Sequence, residues 1–327
     1  MDTAKQISSI SVCGEMTLNL HSLNNEGGEG NQIMTRQLTI VDKNGEEQTV
    51  TGISGDMFKH IHAAHMQNYC VENKISLSEY SKLLNPNRIK ADELKSDAGN
   101  SSNTQADVIA AMIKKCAICD AHGVLITDKV GDNNSSTNTP RKSVIEFAWT
   151  VGIPGKNNTE TFVHTKLVAD AGSMGSATSS NEGQNIFHRP ANHGVYAFVC
   201  NIDTYRIGLN DINRTYSIED EERTKRYKAV VQSLLSSILN PKGAMTSAQK
   251  PHITDFKGVV AVSHKLIPAP TISAINDNYV GEIKQIAKNL NTIQQDSIEI
   301  AEFDGFGKLT EIFADLLKAE PYKISQL

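Results

Sequence analysis

Apolar residues at Ile10, Val12, Met16, Leu18 and Leu20 alternate with polar neighbours, which predicts a strand over residues 7–20 with Gly14 placed to bulge. A polar, glycine-rich loop follows at 21–32, then a strand over 33–41 and a hairpin turn at 42–49, where Asn44-Gly45 suits a type I′ turn. Beyond Gly52, Ser54 is a natural N-cap for a helix whose apolar face is Met57, Phe58, Ile61 and Met66. Further helices are expected over 76–84 and 105–119, with a polar, turn-rich stretch between them. Residues 144–153 read as a strand carrying Trp149, the only tryptophan, and 154–192 as irregular, rich in Gly, Ser and Asn. Strong alternation over 194–209 predicts another strand. A helix over 219–239, a strand over 259–267, a helix over 280–291, a strand over 298–303 and a helix over 307–318 complete the pattern.

Strands and helices interleave in an α+β order that suits an antiparallel sheet with helices on one face, of the ferredoxin-like or RRM-like type. The excursions at 51–139 and 154–192 are too long for passive connections. No internal repeat breaks this picture.

Composition then removes several classes. A chain of 327 residues with 39% hydrophobic residues can bury a real core. No apolar run approaches the roughly 20 residues that span a bilayer, and the N-terminus does not read as a signal peptide. Five cysteines, an odd number, suit a reducing compartment, so a cytoplasmic location is expected and Asn157-Asn158-Thr159 has no glycosylation meaning. The net charge of −5 argues against a surface that is basic all over, but leaves room for a local basic groove.

Candidate chemistry is sparse. Cys116-Ala117-Ile118-Cys119, with His122 behind it, is half a zinc set: a second pair is missing, so no metal site is expected and the cysteines read as small hydrophobes. His62 and His65 share a helix face beside Lys59; that face reads either as merely solvated or as meeting phosphate. Gly27-Gly28-Glu29-Gly30 lacks the Lys-Ser/Thr of a P-loop, and no nucleophile elbow is present, so no cofactor or catalytic residue is expected. Gln184-Asn185-Ile186-Phe187-His188-Arg189-Pro190 mixes an aromatic, an arginine and amides, as base-stacking and phosphate-binding segments do; an ordinary polar loop anchored by Phe187 is the competing reading.

Three segments, in this order, resemble one family: residues 10–26 as an opening strand and loop, Ile53-Ser54-Gly55-Asp56-Met57-Phe58-Lys59-His60-Ile61 as a first helix start, and Phe187-His188-Arg189 followed by Gly194-Val195-Tyr196-Ala197-Phe198 as a central hairpin return. The family is the DevR-type (Cas-seven) backbone subunit of the CRISPR Cascade complex, of the type I-B group. The resemblance implies an RRM-like palm (1–50, 140–153 and 193–327), a helical fingers insertion (51–139) and a thumb hairpin (154–192). It implies copies stacked along a CRISPR RNA, other Cascade subunits as partners, and guide bases left free to pair with target DNA. RNA contacts are then expected from Asn19, His21, Asn24, Ser54, Gly55, Lys59, His62, Gln184, His188 and Arg189, with Met174 as an apolar wedge at the thumb tip. Type III relatives cut RNA with an aspartate after the first strand; here Asn24, Asn25 and Glu26 stand there, and no Asp occurs between Asp2 and Asp42. A guide-directed RNA endonuclease is therefore the alternative, ahead of a small-molecule enzyme, for which no motif speaks, and of a transcriptional autoregulator, suggested only by an older family name.

Overall fold

The computed structural model describes residues 5–30, 32–94, 104–127, 130, 138–167 and 184–325. Strand β1 (Gln6–Ile7) leads into β2 (Ser9–His21), then β3 (Asn25–Glu29), β4 (Gln32–Thr35), β5 (Gln37–Val41) and β6 (Glu47–Ile53). Helices α1 (Gly55–Glu72), α2 (Glu79–Lys82), α3 (Gln105–Lys115) and α4 (Ala117–His122) follow, then the short strands β7 (Val124–Ile126), β8 (Thr139–Arg141) and β9 (Ile145–Phe147). Two long strands, β10 (Thr150–Leu167) and β11 (Gln184–Ile202), precede α5 (Asp220–Leu239), β12 (His252–Ser263), α6 (Tyr279–Ile293), β13 (Ile298–Asp304), α7 (Phe306–Leu316) and β14 (Glu320–Pro321).

The main sheet runs β13-β12-β2-β11-β10-β6-β5, every neighbouring pair antiparallel. One face carries Ile10, Val12, Met16 and Leu18 of β2 with Phe256 and Val260 of β12, and packs under α1, α5 and α7. The other face, with Cys13, Val151, Ala197 and Val259, packs against Tyr279 and Ile283 of α6. Helices α1 and α5 pack on each other, and Phe58, Ile61 and Met66 of α1 and Val230 and Leu234 of α5 are all buried in the same core.

Five local expectations are corrected. Gly14 makes no bulge: the register runs unbroken through Gly14↔Gly258 and Gly14↔Phe198. Its hydrogen side chain makes room instead, since a Cβ there would sit 2.8 Å from the Phe256 ring and 2.5 Å from the Lys257 carbonyl. The 42–45 turn is not type I′: Gly45 N donates to Asp42 O, and only Gly45 has positive φ (+83°), as in a type I turn closed by a left-handed glycine. The helix expected over 105–119 breaks at Cys116, whose extended backbone ends α3 while its sulfur caps α4 by accepting from Cys119 N at 3.3 Å. The strand expected over 144–153 is two strands, with Trp149 in the break between them. The described residues of the 154–192 stretch are not irregular: β10 and β11 pair in register from Asn157↔Gly194 to Leu167↔Gln184, and residues 168–183 lie outside the described residues. Thr159, Thr161, Val163 and Thr165 supply β-branched side chains on one face, but both faces of this ribbon are wet, so no apolar alternation signals the strand.

Candidate nucleic-acid interface

The start of α1 is fixed by two side chains. Ser54 Oγ accepts from Met57 N at 3.1 Å, and Asn24 Oδ1, on the loop after β2, accepts from Ser54 N at 2.7 Å. Asn24 is thus a nearly buried positioning residue that ties the first strand's loop to the helix, with its oxygen already engaged. Gly55 lies against β9: a Cβ there would meet the Phe147 carbonyl at 2.4 Å, so only glycine lets the helix start this close to the sheet.

Beside this helix start lies an open groove of about 370 Å³, lined among others by Gly55, Lys59, Lys142, Phe147 and Trp149, with Asp56 and Glu146 also on its wall. Lys59 is half-buried, and burial together with the nearby Arg88 guanidinium lowers its pKa. It also lines a neighbouring cleft of about 240 Å³ with Asp56, His60, Asn85 and Arg88. A partly dehydrated lysine facing an arginine is an anion-seeking arrangement.

The second surface is the β10–β11 ribbon. Pairing of β11 with β2 ends at Asn192↔His21, and pairing of β10 with β6 covers only Thr150 and Val151, so the two strands run on beyond the sheet as a ribbon, with β4 alongside β11 at His188↔Gln32. Phe162 pairs with Arg189 and His164 with Phe187, which puts these four on one face. His164 and Phe187 stack with centroids 5.6 Å apart, and the Arg189 guanidinium lies 4.8 Å over the Phe187 ring. Arg189 Nε is buried without a hydrogen-bond partner. His188 faces the opposite side with Val163 and is half-buried. Gln184 opens β11 opposite Leu167, and Met174 lies outside the described residues.

A hydrogen-bonded chain anchors the ribbon's root. Leu23 N donates to His21 Nδ1 at 3.5 Å, so Nε2 carries the proton and donates to the Tyr196 hydroxyl at 3.0 Å. Tyr196 meets Thr51 Oγ1 at 2.9 Å, and Thr51 Oγ1 and N both donate to Asn157 Oδ1. Asn157 Nδ2 donates back to Ile153 O at 2.8 Å, closing the bulge between Gly152 and Asn157 where the ribbon leaves the sheet. His21 is therefore a buried strut (1% exposed), not a surface contact, and Asn19 is half-buried opposite His252. Sequence reasoning passed over Tyr196, Thr51 and Asn157, since their partners come from three distant segments.

The amino-acid sequence matches the family described as "CRISPR-associated negative auto-regulator DevR/Csa2" over residues 12–284. The chain belongs to the DevR/Csa2 family of CRISPR-associated proteins. A relative from Methanocaldococcus jannaschii, named "CRISPR-associated protein Cas7/Cst2/DevR", is 26% identical over 311 residues, covering 89% of this chain and 91% of its own. Among solved structures, a chain of a "CRISPR RNA-guided surveillance complex, pre-nicking" is similar at TM-score 0.47 and 11% identity, covering 97% of both chains. Csc2 from Thermofilum pendens is similar at TM-score 0.39 and 14% identity, covering 95% of this chain and 85% of its own. Structural scores this low add nothing to what the family match establishes. The DevR/Csa2 span contains the groove, the ribbon and its root, and reaches well past residue 209, where the sequence resemblance fades.

Inside the same span, the wet face expected for His62 is corrected. His62 is fully buried: its Nε2 faces Val230 O at 3.0 Å and its Nδ1 faces His122 Nε2 at 2.8 Å. It sits there because α1 turns this side toward α5, leaving it no surface to offer a ligand; His65 reaches Asn240 O at 3.0 Å instead. The five cysteines are buried and free, and among the described residues no group of three or more His, Cys, Asp or Glu is gathered for a metal ion.

Burial lowers the pKa of His21 to about 3, that of His62 to about 4, and that of His122 well below its ordinary 6.5. Each stays neutral when folded but takes up a proton when unfolded below about pH 6.5. Stability is therefore expected to be full above that pH and to fall as pH drops toward 4. Urea midpoints from pH 7.5 to 4.5 check this; midpoints that stay flat contradict the burial of these rings.

Proposed function

We propose that the chain is a non-catalytic RNA-binding backbone subunit: it holds CRISPR RNA through phosphate and ribose, repeats along it as a filament of its own copies, and leaves guide bases free to pair with target DNA. The family match, over a span containing both the groove and the ribbon root, carries this reading. Membership of a CRISPR-associated family, shared with a CRISPR-associated relative along most of both chains, supports CRISPR RNA and the other subunits of a CRISPR effector complex as partners, and the reading places the chain in the cytoplasm.

The topology supports a palm of RRM-like type. The order β12-β2-β11-β10, with α1 between β2 and β10 in the chain and α5 between β11 and β12, is that of a ferredoxin-like β-α-β-β-α-β unit. On this reading residues 1–50, 140–153 and 193–327 form the palm, over which α1 at the head of the 51–139 segment packs, the rest of 51–139 forms the fingers and 154–192 the thumb, with Met174 at its tip. Ser54, Gly55 and Lys59 meet one phosphate at the helix start, while His188 and Arg189, with Gln184, meet the RNA from the thumb. Asn19, His21 and Asn24 shape the loop and root behind them. Non-catalysis is supported by the loop after β2, where Asn24, Asn25 and Glu26 stand and the aspartate of type III relatives is missing; the Asn24 oxygen is committed to Ser54 N.

Two guide-length RNAs of unrelated sequence test the reading. Affinities within a few-fold of each other, falling steeply with salt, are expected for backbone recognition. Strong preference for one sequence, or guide-directed cuts in a complementary RNA with magnesium present, would overturn it.

A further inference from the structure

We propose that Trp149 is a stacking platform for one unpaired base of the bound RNA, an inference that rests on the RNA-binding reading. Trp149 sits in the break between β9 and β10, lifted out of both strands, and remains 40% exposed. The Arg36 guanidinium lies over its ring at 5.4 Å, and Trp149 also lines the groove beside α1. That wall is mixed in a way that suits a base with a phosphate beside it. Asp56 and Glu146 repel an anion from the interior, yet can accept from exocyclic amino groups. Lys59 and the largely exposed Lys142, which only loosely meets Glu146 at 3.8 Å, can hold the flanking phosphates. An indole offers a π-face to any base, so this platform suits a protein that reads no sequence, and Arg36 on the ring adds a cation to the stack.

Because Trp149 is the only tryptophan, its fluorescence reports on this site alone. The purified chain is titrated with a 5′-labelled oligouridylate of guide length, reading label anisotropy for binding and tryptophan emission for stacking. Quenching of Trp149 that saturates with the anisotropy change is expected, with W149F binding nearly as wild type and W149A about 10-fold weaker at an unchanged melting temperature. RNA binding with unchanged emission, or quenching with full affinity in W149A, overturns the stacking role and leaves the RNA-binding reading intact. An emission shift that tracks protein concentration without RNA also overturns it, since a second copy then covers the ring. No anisotropy change at all removes the RNA-binding reading and this inference together.

Discussion

Asp120→Ala is expected to destabilise the fold by about 3–5 kcal/mol, because it strands two buried guanidinium groups. Asp120 Oδ1 accepts from Arg141 Nη2 at 2.7 Å, and Oδ2 accepts from Arg226 Nη1 at 3.2 Å and from Gly208 N at 3.0 Å. All three side chains are at most 1% exposed. Arg141 also donates to Leu209 O and Asp211 Oδ2, both at 2.6 Å, and Arg226 to Ile113 O at 2.6 Å and Glu222 Oε1 at 2.9 Å. The network joins α3, α4 and β8 to the turn after β11 and to α5. Removing the one carboxylate shared by both arginines costs far more than removing a surface pair, whose worth is at most about 1 kcal/mol. Asp120→Asn keeps an acceptor for Gly208 N and is expected to cost less. Guanidinium chloride unfolding decides it: a loss under about 1 kcal/mol for the alanine variant would mean that Asp211 and Glu222 suffice to hold both arginines.

The double variant Lys59→Ala with Arg189→Ala is expected to weaken RNA binding about 100-fold, at roughly tenfold for each lost charged contact. Lys59 belongs to the groove beside α1 and Arg189 to the ribbon, so neither compensates for the other and the effects should add. The slope of log affinity against log salt should flatten by about two, one for each phosphate given up. Anisotropy over a salt series reads both quantities. An unchanged slope would mean that neither residue meets phosphate, however much the affinity moves.

The sequence carried the element types well where one face of a strand or helix is buried. The alternation at Ile10, Val12, Met16 and Leu18 reads cleanly because those side chains pack under helices. It failed on β10 and β11 beyond the sheet, where Thr161 to Thr165 of β10 are exposed on both faces, so that no apolar alternation marks the strand. It also misread Gly14, since a glycine that admits a ring from a neighbouring strand looks the same in sequence as one that bulges. For the site, Ser54 as helix cap was legible from local chemistry. His62 was not: helical spacing puts it beside Lys59 in sequence, but only the packing of α1 on α5 tells which side of the helix is dry. The chain from His21 through Tyr196 and Thr51 to Asn157 joins four segments and leaves no spacing signature.

The most direct test of the backbone role is the nucleic-acid content of the chain purified natively after co-expression with a CRISPR array and its neighbouring subunits. A large particle with a high ratio of absorbance at 260 nm to that at 280 nm, holding a discrete RNA of guide length, is expected of a subunit that repeats along its RNA. A nucleic-acid-free monomer under those conditions would contradict that role.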